Sequence, residues 1–113
     1  LVAPYVPDNG DIVWLSFDPQ KGHEQAGRRP FLVLTPRAYN ERTSLIVGCP
    51  ITSRAKGYPF EVGLSPENAL QGVVLADQVK SLDWRERRAE FAEEAAEVTL
   101  RATRQLIKTL LNI

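Results

Sequence analysis

Asp8-Asn9-Gly10-Asp11-Ile12-Val13-Trp14-Leu15-Ser16-Phe17-Asp18-Pro19, residues 8 to 19, reads as a tight turn feeding a β-rich run that Asp-Pro then stops. The same grammar recurs downstream. Phe31-Leu32-Val33-Leu34-Thr35 is a second apolar run, closed by Pro36. It lacks the polar alternation of a half-exposed strand, so both of its faces are expected to be buried. Ser44–Cys49 gives a third strand, Tyr58–Val62 a fourth after a basic loop, and Gly72–Val79 a fifth. Five short strands at this spacing predict a small barrel or curled sheet.

The C-terminal stretch follows a different period. Ala92, Ala96, Leu100, Thr103, Leu106, Ile107, Leu110 and Leu111 fall within an arc of about 140° on a helical projection. Glu94, Glu97, Arg101, Arg104 and Lys108 take the other side. The pattern predicts an amphipathic helix of about 17 to 20 residues whose apolar stripe covers an open face of the sheet or a partner chain. The expected class is mainly β with a C-terminal α-helix. At 113 residues, with no repeat, low-complexity tract or linker, the chain is expected to form one domain over 1–113.

Composition narrows the function classes. Hydrophobic residues make up 43% and charged residues 25%, which excludes disordered and fibrous readings. The single Cys49 cannot form an internal disulfide. With His23 as the only imidazole, a protein-only zinc site would need several carboxylates. A reducing compartment and a metal-free, cofactor-free site are expected. No apolar run approaches the ~20 residues of a membrane helix, and no Lys or Arg precedes Lys21, so a cytoplasmic location is expected. Lys+Arg and Asp+Glu balance at 14 each, which argues against binding nucleic acid through bulk charge alone. The balance is uneven along the chain, however. Residues 19–60 carry seven bases against Glu24 and Glu41, a local excess that marks a candidate anion-binding surface.

Chemistry-bearing residues concentrate in two connections. The loop Gly22-His23-Glu24-Gln25-Ala26-Gly27-Arg28-Arg29-Pro30 puts a carboxylate, an imidazole and two guanidiniums between two strands. Pro30 fixes the chain there, holding Arg29 at a strand edge. A positioned guanidinium suits phosphate, because its planar fork donates two hydrogen bonds and stays charged. After the third strand, Pro50-Ile51-Thr52-Ser53-Arg54 places hydroxyls and a base in a turn. Such a turn can receive an oxyanion or cap its own backbone. Phe17, Tyr39, Tyr58 and Trp84 stand at strand ends or loops, where aromatics either stack on splayed bases or seal a rim. One imidazole and no Gly-x-Ser-x-Gly leave no Ser-His-Asp reading, and no Walker or dinucleotide loop occurs. Cys49 sits in an apolar run and is expected in the core.

Four separated blocks carry a resemblance. Val6-Pro7-Asp8-x-Gly10-Asp11, the Gly22–Pro30 loop, Lys56-Gly57-Tyr58-Pro59-Phe60-Glu61-Val62 and Leu75-Ala76-Asp77-Gln78-Val79-Lys80-Ser81-x-x-Trp84-Arg85 together resemble the toxins of the MazF/PemK/Kid family, over residues 5 to about 88. The resemblance implies a small SH3-like barrel of about five to seven strands with a C-terminal helix, and a homodimer. It also implies a metal-independent, sequence-specific endoribonuclease (mRNA interferase) that cuts single-stranded RNA, and a MazE-like antitoxin partner that blocks the toxin. Nothing in it implies a membrane or a cofactor. The reaction it implies is attack of the ribose 2′-OH on the adjacent phosphorus, leaving a 2′,3′-cyclic phosphate and a 5′-OH.

Site residues follow from the same alignment of motifs. Arg29 and Thr52 match the family's catalytic pair, and Glu24 matches an acidic loop residue on which activity depends. Arg29 is expected to stabilise the phosphorane, Thr52 to orient the phosphate, and Glu24 to take the 2′ proton, since an ordinary Arg stays protonated. Kid-type relatives use an Arg and an Asp two residues apart on the fifth strand together with a loop His. Here Asp77 and His23 match, but Leu75 occupies the Arg position, so these two are secondary catalytic candidates. Phe17, Arg28, Ser53, Lys56, Gln78 and Lys80 are the expected RNA contacts. The recognition word, an ACA-like triplet in near relatives, is open for this chain.

Two other readings compete. CcdB-like toxins share the barrel, bind DNA gyrase without catalysis and end in Trp-Gly-Ile, whereas this chain ends Leu111-Asn112-Ile113. A module for Pro-rich peptides would need an aromatic groove without the Glu24, Arg29 and Thr52 trio.

Overall fold

The structure is a computed structural model and describes residues 4–17 and 27–113. Its elements are β1 (Asp11–Ser16), β2 (Arg28–Val33), α1 (Arg37–Thr43), β3 (Leu45–Thr52), β4 (Glu61–Gly63) and β5 (Val73–Leu75). A 3-10 turn (Ala76–Gln78), β6 (Lys80–Asp83), β7 (Glu90–Glu94) and α2 (Glu97–Leu111) complete the chain. All strand pairs are antiparallel. The sheet runs β4-β5-β3-β2-β1-β7, with β6 also on β3. No ladder joins β4 to β7 among the described residues, so the expected small barrel is here an open seven-stranded sheet. No helix among the described residues is long and apolar enough to cross a membrane.

Burial on both faces explains the unbroken apolar runs. Successive strand residues point to opposite sides. Ile12, Leu32, Cys49, Ile51, Val62 and Val74 cluster with Leu100 of α2 on one face. Val13, Leu15, Phe31, Val33 and Ile46 cluster with Trp84 on the other. Phe31, Leu32 and Val33 are all fully buried, as their continuous apolarity demands, and so is Cys49. Burial first, and then the nearby Asp77, push the Cys49 thiol up to about 12, with Lys80 offsetting part of the effect. At neutral pH it therefore supplies no thiolate. Trp84 belongs to this core rather than to a stacking surface, and its Nε1 donates to the Asn40 carbonyl at 2.8 Å.

Several boundaries differ from those expected, each for a local reason. The fifth run is two strands. It breaks at the 3-10 turn, so that β5 pairs with Ile51 and Thr52 while β6 pairs with residues 45–48 of the same long β3. The fourth strand shrinks to Glu61–Gly63, because Tyr58 lies in a turn closed by the Glu61 amide on its carbonyl, 3.1 Å away. The C-terminal helix has 15 residues, with Ala96 as its N-cap and Ala92 outside it in β7. The outer edge of β1 would otherwise leave buried-strand amides without partners, and β7 satisfies them. Helical periodicity gives way there to that demand. The charges of β7 (Glu90, Glu93, Glu94) suit an outermost strand, where they discourage further pairing.

α1 was not expected. Its seven residues have no apolar stripe, and what fixes them is the fully buried Asn40. The Asn40 Nδ2 donates to the carbonyls of Pro7 and Thr35, both at 2.9 Å, and its Oδ1 accepts from the Thr35 hydroxyl at 2.7 Å. Asp11 is likewise held internally, accepting from the Tyr5 hydroxyl at 2.6 Å and the Asp8 amide at 3.0 Å.

Candidate active site

Strand alternation separates the two arginines at the start of β2. Arg28 stands opposite Ser16 and Arg29 opposite Leu15 in the β1–β2 register, so they face opposite sides of the sheet. The Arg28 guanidinium is tied down. It donates to Ser16 Oγ at 3.0 Å and to the carbonyls of Arg87 and Arg88 at 3.3 and 3.0 Å, and it pairs with the Glu90 carboxylate. It thereby fastens β1, β2 and the β6–β7 connection together at this end of the sheet. Arg29 stands exposed.

β3 ends beside it. Thr52 closes the strand, and its Oγ1 accepts from the Arg54 amide at 3.2 Å, which makes the Thr52-Ser53-Arg54 bend a hydroxyl-capped turn. The capping role and a site role are compatible, because the hydroxyl keeps its own proton to donate. Across the ladder, Gly72 packs so closely on the Thr52 carbonyl that a Cβ there would overlap the oxygen and lie 3.0 Å from its carbon. Its φ of +134° also disfavours any side chain.

These ends enclose a groove of about 560 Å³ lined by Trp14, Arg28, Arg29, Pro30, Ile51, Thr52, Ser53, Arg54, Leu70 and Gln71. Arg29 and Arg54, two hydroxyls and a carboxamide thus stand with an indole and three apolar side chains, while the Arg28 guanidinium at the margin is already held by Ser16, Glu90 and two carbonyls. Cations and donors suit a phosphodiester, and the flat apolar parts suit a base.

Of the residues singled out from sequence, the structure brings Arg28, Arg29, Thr52 and Ser53 into this groove. Asp77 and Gln78 are exposed on the 3-10 turn, and Lys80 opens β6 opposite Gly48. Lys56 lies in the loop before β4, where its amide donates to the Glu61 carboxylate. Phe17 packs on Phe31, with ring centroids 6.3 Å apart. None of these five lines the groove. Glu24 and His23 lie outside the described residues. Among the described residues, no group of three or more His, Cys, Asp or Glu is arranged to hold a metal ion.

Sequence reasoning missed Trp14, Leu70 and Gln71 and left Arg54 as a turn base only. The register offers a signal for Trp14, which stands opposite Pro30. Leu70 and Gln71 immediately precede Gly72, whose close approach gives them their place.

The loop bearing Leu70 is held by a carboxylate. Glu93 accepts from the Asn68 Nδ2 at 3.0 Å and from the Ala69 and Leu70 amides at 2.9 and 2.8 Å. Burial raises its pKa, but these three hydrogen bonds outweigh that and hold the carboxyl below its usual range. A depressed folded-state value stabilises the fold above the ordinary value of 4.5, and the benefit is lost as pH falls through the folded value. Glu93→Gln is therefore expected to lower the urea midpoint at pH 7. The gap to wild type should close as pH falls below 4.5 and through the depressed folded-state value in matched urea titrations; a gap constant with pH would contradict this.

The family of PemK-like, MazF-like toxins of type II toxin-antitoxin systems matches residues 8–111. The endoribonuclease toxin MazF of Escherichia coli K12 is 50% identical over 113 residues, covering 100% of this chain and 97% of that protein. The crystal structure of MazF from Deinococcus radiodurans (Form-I) superposes with a TM-score of 0.87 at 57% identity, covering 97% of this chain and 100% of that one. A MazE-MazF structure from the same organism (Form-II) gives 0.87 at 52% identity, over 97% and 99% of the two chains.

Proposed function

The chain belongs to the PemK-like, MazF-like toxins of type II toxin–antitoxin systems, and from that premise we propose that the groove between the ends of β2 and β3 binds and cuts single-stranded RNA. The protein is an endoribonuclease. Its partners are RNA, a second copy of itself and a MazE-like antitoxin. Large apolar side chains left uncovered on β7, on α2 and just beyond it, among them Phe91, Leu111 and Ile113, give such protein partners a surface to use. It works in the cytoplasm, where its mRNA substrate is.

The chemistry is a transesterification. The 2′-oxygen loses its proton and bonds to phosphorus, the bond to the 5′-oxygen breaks, and that oxygen takes up a proton. Arg29 donates to the non-bridging oxygens as negative charge gathers on the phosphorane. The Thr52 hydroxyl donates to the same phosphate and fixes its orientation. Glu24, shortly before β2 in the chain, takes the 2′ proton. A carboxylate can accept a proton at neutral pH, which a guanidinium and a hydroxyl do not. His23 and Asp77 stand as secondary catalytic candidates. Arg28 serves the site mainly by holding the strand ends. Ser53 contacts RNA at the groove, and Phe17, Lys56, Gln78 and Lys80 contact it outside the groove.

One observation carries this reading: Arg29 and Thr52, distant in sequence, line one groove together with an apolar wall. Incubation with a long single-stranded RNA and its DNA counterpart, in excess EDTA, tests it. The expected result is RNA-only cleavage at a recurring short word with 5′-OH ends. Cleavage of the DNA, or 5′-phosphate ends, would rule the 2′-OH route out.

A further inference from the structure

Gln71 is placed beside the groove more firmly than a loop residue usually is. Its neighbour Gly72 rests against the Thr52 carbonyl with no room for a Cβ, and the Leu64 amide closes the base of the loop on the Gly72 carbonyl at 3.0 Å. On the far side, Glu93 holds the amides of Ala69 and Leu70, while Asn68 Nδ2 also donates to the Glu94 carbonyl at 2.7 Å. The loop is thus fastened at both ends. Gln71 stands one residue from the contact that fixes Thr52.

A carboxamide at that place has a distinct use. It is neutral, so it adds little to phosphate binding. It presents a donor and an acceptor side by side, the pattern that pairs with a base edge such as adenine's. Leu70 and Trp14, in the same groove, offer apolar surface to the flat faces of a base. Pre-ordering of the loop removes part of the cost of fixing the side chain on binding.

Building on the groove as the RNA site, we propose that Gln71 is a specificity-determining residue, its carboxamide reading the edge of the base next to the scissile phosphate, with Glu93 as the positioning residue that holds its loop. Glu93 acts on recognition only through Leu70 and Gln71.

The test is cleavage of a random single-stranded RNA pool by full-length wild type, Gln71→Ala, Glu93→Ala, Glu93→Gln and Arg29→Ala, with relative kcat/KM read for every word around the cut. Gln71→Ala should shrink the wild-type preference at one position beside the cut by about tenfold. Glu93→Ala should shrink it at the same position, mainly through KM, and Glu93→Gln, which keeps one acceptor for the loop amides, should fall between. An unchanged preference in Gln71→Ala, or a loss spread equally over all words, overturns the proposal. Arg29→Ala separates the two layers: if it cuts as wild type does, the groove is not the reaction site, and the reading of Gln71 falls with it.

Discussion

Arg29→Ala is expected to lower kcat for RNA cleavage by about 10²–10³-fold, the range for removing a donor aimed at transition-state charge. The phosphorane carries more negative charge on its equatorial oxygens than the ground-state phosphodiester, so a guanidinium there stabilises the transition state preferentially. The loss should therefore fall on kcat more than on KM. Arg29→Lys keeps the charge but not the planar fork and is expected to recover only part of the rate. The fold should not change, because Arg29 is exposed and its strand is secured by Phe31, Leu32 and Val33, all fully buried. Circular dichroism and urea midpoints matching wild type, alongside the kinetic loss, would separate chemistry from stability. A variant that loses binding with kcat intact would mean that Arg29 anchors RNA without touching the reacting phosphate.

Gly48→Ala is expected to be the most damaging small substitution in the fold. A Cβ at Gly48 would overlap the Leu32 carbonyl oxygen and lie 2.7 Å from Phe31 Cε2. The oxygen belongs to the central β2–β3 ladder, where Leu32 pairs with Cys49 and Val33 with Gly48 itself. Side-chain rotation cannot relieve a clash with backbone, so the two strands must move apart. We expect a loss of about 3 kcal/mol or more. For a domain of this size that lowers Tm by roughly 10 °C or more. The strands concerned carry Arg29 and Thr52 at their ends, so activity should fall even where the variant remains folded. Thermal unfolding with cleavage measured well below the transition would show both effects, and an unchanged Tm would refute the packing argument.

Much of the fold was legible because the two buried faces write it in apolar residues. Ile12–Leu15, Phe31–Val33, Ile46–Cys49 and Val73–Val74 are visible without any structure, whereas Pro50–Thr52, which read as a turn, continue β3. β7 was not legible, since its sequence Glu-Phe-Ala-Glu-Glu is that of a charged outer strand and runs into a helical period. What selects it is the open edge of β1, a demand made by a distant segment. α1 was hidden for a similar reason, being held by the bonds of Asn40 to residues elsewhere rather than by a stripe of its own.

The candidate site divides the same way. Arg29 and Thr52 were marked by their motifs, and the sheet order explains their meeting, since β2 and β3 are neighbours. Arg28 looked equivalent to Arg29 in sequence, and only the register sends it to the opposite face and into bonds with Ser16 and Glu90. Trp14 was read as one apolar residue among others. Leu70 and Gln71 owe their position to Gly72 against Thr52, a contact between residues twenty apart that no local pattern announces.

The central claim, that RNA occupies the groove at Arg29 and Thr52, is tested most directly by titrating isotope-labelled protein with an RNA carrying a 2′-deoxynucleotide at the cut site. Without the attacking hydroxyl, this RNA should bind and stay intact while backbone amide resonances are followed by NMR. Shifts concentrated at Arg29, Thr52, Ser53, Arg54, Leu70 and Gln71 are the result this account predicts. Shifts confined to Asp77, Gln78 and Lys80, with the groove amides unmoved, would contradict it.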